Sequence, residues 1–105
     1  MLIIKFGGTV LKSIDNVVDL IKTELKKHQK LIVIISAIGR CPDPYATDTL
    51  MQMGSDVTKE ELAQLASCGE IISGINLVNE LKKEIDELKN KMADGKTIEF
   101  KLPPR

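Results

Sequence analysis

Lys5, Gly7 and Gly8 are the first residues in this chain whose types and spacing suit chemistry on an anion. An apolar run, Leu2-Ile3-Ile4, ends in Lys5-Phe6-Gly7-Gly8-Thr9, and a helical pattern begins a few residues later. Glycines lack Cβ, so their backbone can take positive φ and approach a ligand closely. Their N–H groups, aided by a following helix N-terminus, can point at an anion. Lys5 would place a mobile positive charge beside the same spot. A strand, two glycines and a helix also make a plain turn, so the surrounding elements must decide between the two.

Leu2 to Phe6 reads as a strand, and its near-continuous apolar character predicts burial on both faces. From Ser13 the period changes. Ile14, Val17, Val18, Ile21 and Leu25 form one stripe of an amphipathic helix, with Ser13 as N-cap and Asp15 in the first turn. Leu31-Ile32-Val33-Ile34-Ile35 is the clearest strand. Strand, helix and strand make a βαβ unit with parallel strands and a right-handed crossover. In such sheets ligands sit at the carboxyl ends of the strands. Lys5-Phe6-Gly7-Gly8 and Ser36-Ala37 share that edge, which favours a functional role for Lys5 and the glycines.

A polar loop, Gly39 to Asp48, leaves the same edge, and its length suits a lid or substrate loop. A short helix is expected over Asp48 to Met53. A longer one should start behind a Thr58/Glu61 capping box and run from Lys59 to about Met92, bent near Gly69 or Gly74. Leu62, Leu65, Cys68, Ile72 and Ile75 are its expected apolar face, and Ser73 reads as a small packing residue. Val78, Leu81, Ile85, Leu88 and Met92 follow a narrow seam of the kind used in helix–helix contacts. Asp94-Gly95 should end the helix, and Thr97 to Phe100 reads as a short strand at the sheet edge.

The 105 residues carry 15 Lys+Arg and 15 Asp+Glu, a net charge of zero, which gives no support to a nucleic-acid partner. One Tyr, two Phe and no Trp leave no aromatic platform for bases. With 43% hydrophobic and 29% charged residues the composition is that of one soluble globular domain, residues 1–105. No apolar run approaches the roughly 18–20 residues that span a bilayer. Cys41 and Cys68 have neither metal-ligand spacing nor a disulfide framework, so the expectation is no bound metal, reduced thiols and a cytoplasmic location.

Taken together, four segments resemble the aspartokinases of the amino acid kinase family. Lys5-Phe6-Gly7-Gly8-Thr9 resembles their opening motif, and Val33 to Gly39 looks like their second strand and Ser-Ala-Met-Gly turn. Pro44-Tyr45-Ala46-Thr47-Asp48-Thr49-Leu50 is similar to the Thr-Asp-x-Leu segment, and Ser67-Cys68-Gly69-Glu70-Ile71-Ile72-Ser73 to the Ser-x-Gly-Glu-x-x-Ser helix. The resemblance implies phosphoryl transfer from MgATP to the side-chain carboxylate of L-aspartate, within amino-acid and specifically lysine biosynthesis. It implies a catalytic role for Lys5 and contacts to nucleotide phosphates from Lys5, Phe6, Gly7, Gly8, Thr9 and Ser36. Ser36, Thr47 and Glu70 would bind substrate, Glu70 through the ammonium group.

Two departures temper this. Val10 stands where relatives usually carry Ser after the Thr, and little of the family pattern is visible beyond Leu77. The later half of such kinases, which supplies most of the nucleotide pocket, does not fit in this length. The expected fold is therefore α/β: a three-layer αβα arrangement with a small, mostly parallel open sheet, like a truncated amino acid kinase. Residues 1–77 would be the aspartokinase-like portion and 78–105 a charged helix plus a terminal strand. The function expected is an incomplete, substrate-side portion of an aspartokinase that binds aspartate and ATP or phosphate. A complementing kinase half or a homodimer mate is the expected partner. The alternative is a non-catalytic dimerisation module that uses the Val78–Met92 seam.

Overall fold

The computed structural model describes residues 1–84 with their side chains and, as backbone, the segments Lys89–Met92 and Thr97–Lys101. In chain order the elements are β1 (Leu2–Phe6), α1 (Gly8–Leu11), α2 (Ile14–Leu25), β2 (Lys30–Ile35), α3 (Thr47–Met51), α4 (Lys59–Glu84), β3 (Lys89–Met92) and β4 (Thr97–Lys101). The fold is α/β. β1 and β2 pair in parallel from Leu2 opposite Leu31 to Phe6 opposite Ile35, as the βαβ reading requires. Around that pair the sheet is mixed: its order is β1-β2-β4-β3, and β4 runs antiparallel to both neighbours.

The parallel register sets which side chains meet. Leu31, Val33 and Ile35 are buried on one face of β2, with Phe6 buried on β1 and Leu2 and Ile4 half-buried beside it. α2 lays Val17, Val18, Ile21 and Leu25 on this face, and α4 adds Leu77 and Leu81. Both helices thus contribute to one core on one side of the sheet. The opposite face carries Ile3, which is 56% exposed, exposed Lys5, and half-buried Ile32 and Ile34. The expectation that β1 is buried on both faces is corrected, because among the described residues α2 and α4 both belong to the single core on the other face.

α4 opens with the expected capping box. The Glu61 N–H donates to Thr58 Oγ1 at 3.1 Å and the Thr58 N–H to Glu61 Oε1 at 3.0 Å. The Thr58 backbone N–H, and after it the Thr58 side-chain hydroxyl, hold the Glu61 carboxyl below its ordinary range. The face that α4 buries is not the one its large residues suggested. Cys68, Ile72 and Ile75 are exposed, and the buried positions are Gly69, Ser73, Gly74, Leu77 and Leu81. A close approach is the cause. A Cβ on Gly69 would run into the Tyr45 carbonyl oxygen and would lie 2.9 Å from the Ala37 Cβ. Only small residues let the helix come that near, so hydrophobic spacing pointed to the wrong stripe. Leu62 and Leu65, both half-buried, lie by Gly54 instead.

The C-terminal segment also differs from expectation. The described part of α4 ends at Glu84, and Lys89–Met92 is a strand, so Met92 cannot continue a helical seam. Leu81 is fully buried in this chain's own core, while Ile85 and Leu88 lie outside the described residues. β4 is not the edge strand expected but sits between β2 and β3. Among the described residues no helix is long and apolar enough to cross a membrane.

The assignment of α4's buried face is directly testable. Leu77→Ala is expected to lower the unfolding free energy by about 2–5 kcal/mol, and Ile75→Ala to change it by less than about 0.5 kcal/mol. Urea denaturation followed by circular dichroism measures both.

Candidate functional site

The pairing of Phe6 with Ile35 delivers two turns to the same edge of the sheet, Gly7-Gly8 after β1 and Ser36 to Gly39 after β2. They are tied together by the Gly39 N–H, which donates to the Gly8 carbonyl oxygen at 2.8 Å. Gly8 has no room for a side chain: a Cβ there would lie 2.5 Å from the Ala37 oxygen and 2.7 Å from the Gly39 oxygen. Its glycine is required by backbone-on-backbone contact. Gly7 differs, because a Cβ at that position would meet nothing within 4 Å. The positive φ anticipated at the glycine pair is not found there. Gly7 has φ −80° and Gly8 opens the single turn of α1, whereas Gly39 takes φ +83°.

A cavity of about 440 Å³ opens over these turns. Five of the residues singled out in the sequence line it: Lys5, Gly7, Gly8, Ser36 and Thr47. Thr47 arrives there as the first residue of α3, and Lys5 from the penultimate position of β1. Lys5 makes no ion pair or hydrogen bond with another side chain among the described residues. The other three candidates lie elsewhere. The Phe6 side chain is 6% exposed and belongs to the core, Thr9 is exposed on α1 outside the lining, and Glu70 is half-buried on α4, also outside it.

Arg40, Asp48 and Met51 line the cavity as well and were not among the expected site residues. The signal for Arg40 and Asp48 was their place in the loop leaving the β2 edge. That loop is pinned by two carboxylates. Asp43 Oδ2 accepts from the Arg40 N–H at 3.0 Å and from Lys12 Nζ at 3.2 Å, joining the loop to the residue after α1. Asp48 Oδ1 accepts from the Cys41 and Thr49 N–H groups at 3.1 and 3.2 Å. The Arg40 N–H, and after it Lys12, hold the Asp43 carboxyl below its ordinary range. What results is a cradle of backbone turns, two hydroxyls and cations, with one carboxylate already committed to backbone donors. Such a cradle suits an oxyanion.

The model of the amino acid kinase family matches residues 1–95. Aspartokinase 1 of Bacillus subtilis (strain 168) is 38% identical over 78 residues, which is 68% of this chain and 19% of that protein. The aspartokinase of Rickettsia conorii (strain ATCC VR-613 / Malish 7) is 32% identical over 89 residues, 80% of this chain and 22% of that protein. The chain thus spans about a fifth of the length of these relatives. No solved structure matches it.

Two predictions follow from the geometry of the turns. Gly8→Ala is expected to destabilise the fold by about 1–3 kcal/mol through overpacking. Gly7→Ala, at an ordinary φ with open space beside it, should stay within about 1 kcal/mol of the wild type. Thermal unfolding of the two variants gives the comparison. The Asp43 latch has a pH signature of known sign. Its folded pKa lies below the unfolded value, so its contribution is fully present above about pH 4 and is lost as pH falls through the folded pKa. The difference in melting temperature between wild type and Asp43→Asn should therefore shrink as the pH is lowered from about 5 to about 2.

Proposed function

We propose that this chain, which belongs to the amino acid kinase family, forms the phosphoryl- and aspartate-binding side of an aspartokinase site and is not by itself a complete kinase. One observation carries the reading. Lys5, Gly7, Gly8, Ser36 and Thr47, drawn from three separate segments of the sequence, line one cavity at the carboxyl edge of the parallel strands.

The chemistry follows from those groups. A carboxylate oxygen of aspartate attacks the terminal phosphorus of ATP, a new P–O bond forms, and the P–O bond to ADP breaks. Such transfer relies on positioning and on stabilising charge at the phosphoryl oxygens. Lys5 supplies the positive charge. Gly7 and Gly8 let the phosphoryl group approach the backbone, where the N–H of Gly8, first in its helical turn, has no intrahelical partner. The hydroxyls of Ser36 and Thr47 hydrogen-bond phosphate or substrate. Glu70 is assigned the substrate ammonium on the strength of its sequence motif, its side chain lying outside the cavity lining. The free thiols of Cys41 and Cys68 go with a cytoplasmic location. Dimerisation through Val78 to Met92 has less support, because Leu81 is spent on the core and Met92 lies on a strand.

Isothermal titration with MgATP and with L-aspartate separately, paired with a hydroxamate assay for aspartyl phosphate, tests the reading. Millimolar binding is expected, weakened about tenfold by Lys5→Ala for MgATP, with no turnover by the chain alone. Failure of both ligands to bind at millimolar concentration would sink the site. Turnover by the isolated chain would show instead that it is a whole kinase.

A further inference from the structure

We propose that Arg40 is a second phosphate-binding residue of this site and, with Lys5, closes a two-cation clamp over the glycine turns. The inference rests on the reading of the cavity as a phosphoryl site and adds a residue to it.

Arg40 lines the same cavity as Lys5, Gly7 and Gly8. Its backbone position is fixed from both sides. The preceding residue, Gly39, is hydrogen-bonded to Gly8, and the Arg40 N–H is held by Asp43. The residue is therefore built into the turn that touches the glycine pair.

The acids near Arg40 in the loop form no ion pair with it. Asp43 Oδ2 takes Lys12 and the Arg40 backbone, and Asp48 Oδ1 takes two backbone N–H groups. Among the described residues the Arg40 guanidinium makes no hydrogen bond or ion pair, and neither does the Lys5 ammonium. Two unpaired cations thus line one open cavity, Lys5 from the end of β1 and Arg40 from the turn after β2. An anion with oxygens on several sides satisfies both, and a phosphoryl group has that geometry. The two cations are not equivalent: guanidinium offers a planar fork that grips two oxygens at once, and ammonium acts as a point charge. Lys5 neutralises, and Arg40 orients.

The full chain is titrated calorimetrically with inorganic phosphate, MgATP and L-aspartate, as wild type, Arg40→Gln, Arg40→Lys and Lys5→Ala. Arg40→Gln is expected to weaken phosphate and MgATP about tenfold and leave aspartate unchanged. Arg40→Lys should recover only part of the loss, because the fork is gone. A loss for MgATP without one for inorganic phosphate would place Arg40 on the nucleotide's other phosphates and overturn the clamp. Unchanged phosphate affinity in Arg40→Gln, with loss in Lys5→Ala, would remove Arg40 and leave the phosphoryl site standing. If the wild type binds neither phosphate nor MgATP, the site and the clamp fall together. Far-ultraviolet circular dichroism of each variant separates lost binding from lost fold.

Discussion

Everything at the candidate site depends on the parallel pairing of β1 with β2. A parallel pair places both carboxyl ends at one edge, and its register here, Phe6 against Ile35, makes the two following turns leave as neighbours. The single bond from the Gly39 N–H to the Gly8 oxygen then converts proximity into contact. That contact is also why Gly8 must be glycine, since two carbonyl oxygens occupy the space a Cβ would need. A shift of one residue in register would expose Leu31, Val33 and Ile35 on the outer face and separate the turns. The burial of that stripe therefore specifies the site as well as the core.

The second constraint is the close approach of α4. At Gly69 the helix meets the backbone of Tyr45 and the side chain of Ala37, next to the turn that carries Gly39 and Arg40. α3 packs on the same stretch, with Leu50 lying beside Gly69. The missing side chain at Gly69 thus fixes how near α3 and the loop before it come to the strand ends. Thr47 and Asp48 reach the cavity through that packing. Buried Leu77 and Leu81, further along the helix, anchor it to the sheet.

This arrangement explains which parts could be read from sequence. β1 and β2 were legible as short apolar runs of strand length, though not which face they bury, and α2 because its large apolar residues recur at a period of 3.6. The capping box before α4 was legible because its geometry is local. α4's contact face was not, because Gly and Ser carry no hydrophobic signal although they govern the packing. β3 was hidden by charge, because Lys89-Asn90-Lys91 resembles a solvated helix surface; the helix stop expected at Asp94-Gly95 lies outside the described residues. At the site, the glycine pair, Lys5, Ser36 and Thr47 could be placed because strand ends and motifs locate them. Arg40 belongs to a loop without periodicity and Asp48 to the first turn of the short α3, and only three-dimensional structure shows that their side chains line one cavity.

The environment of the cavity bears on what the chain can do with it. Lys5, Gly7, Arg40 and Asp48 are all exposed, so charges here act through solvent. Two unit charges 4 Å apart interact by about 1 kcal/mol in water but about 4 kcal/mol at the effective dielectric typical of a protein surface. An open cradle of this kind can select and hold an oxyanion through hydrogen bonds and shape. The larger stabilisation of a transition state needs water displaced from the same charges. The described residues build the floor of such a site and leave its other side open. Binding and rate enhancement make different demands on a site of this kind: the first asks for donors and cations around the oxyanion, and the second for exclusion of water as well.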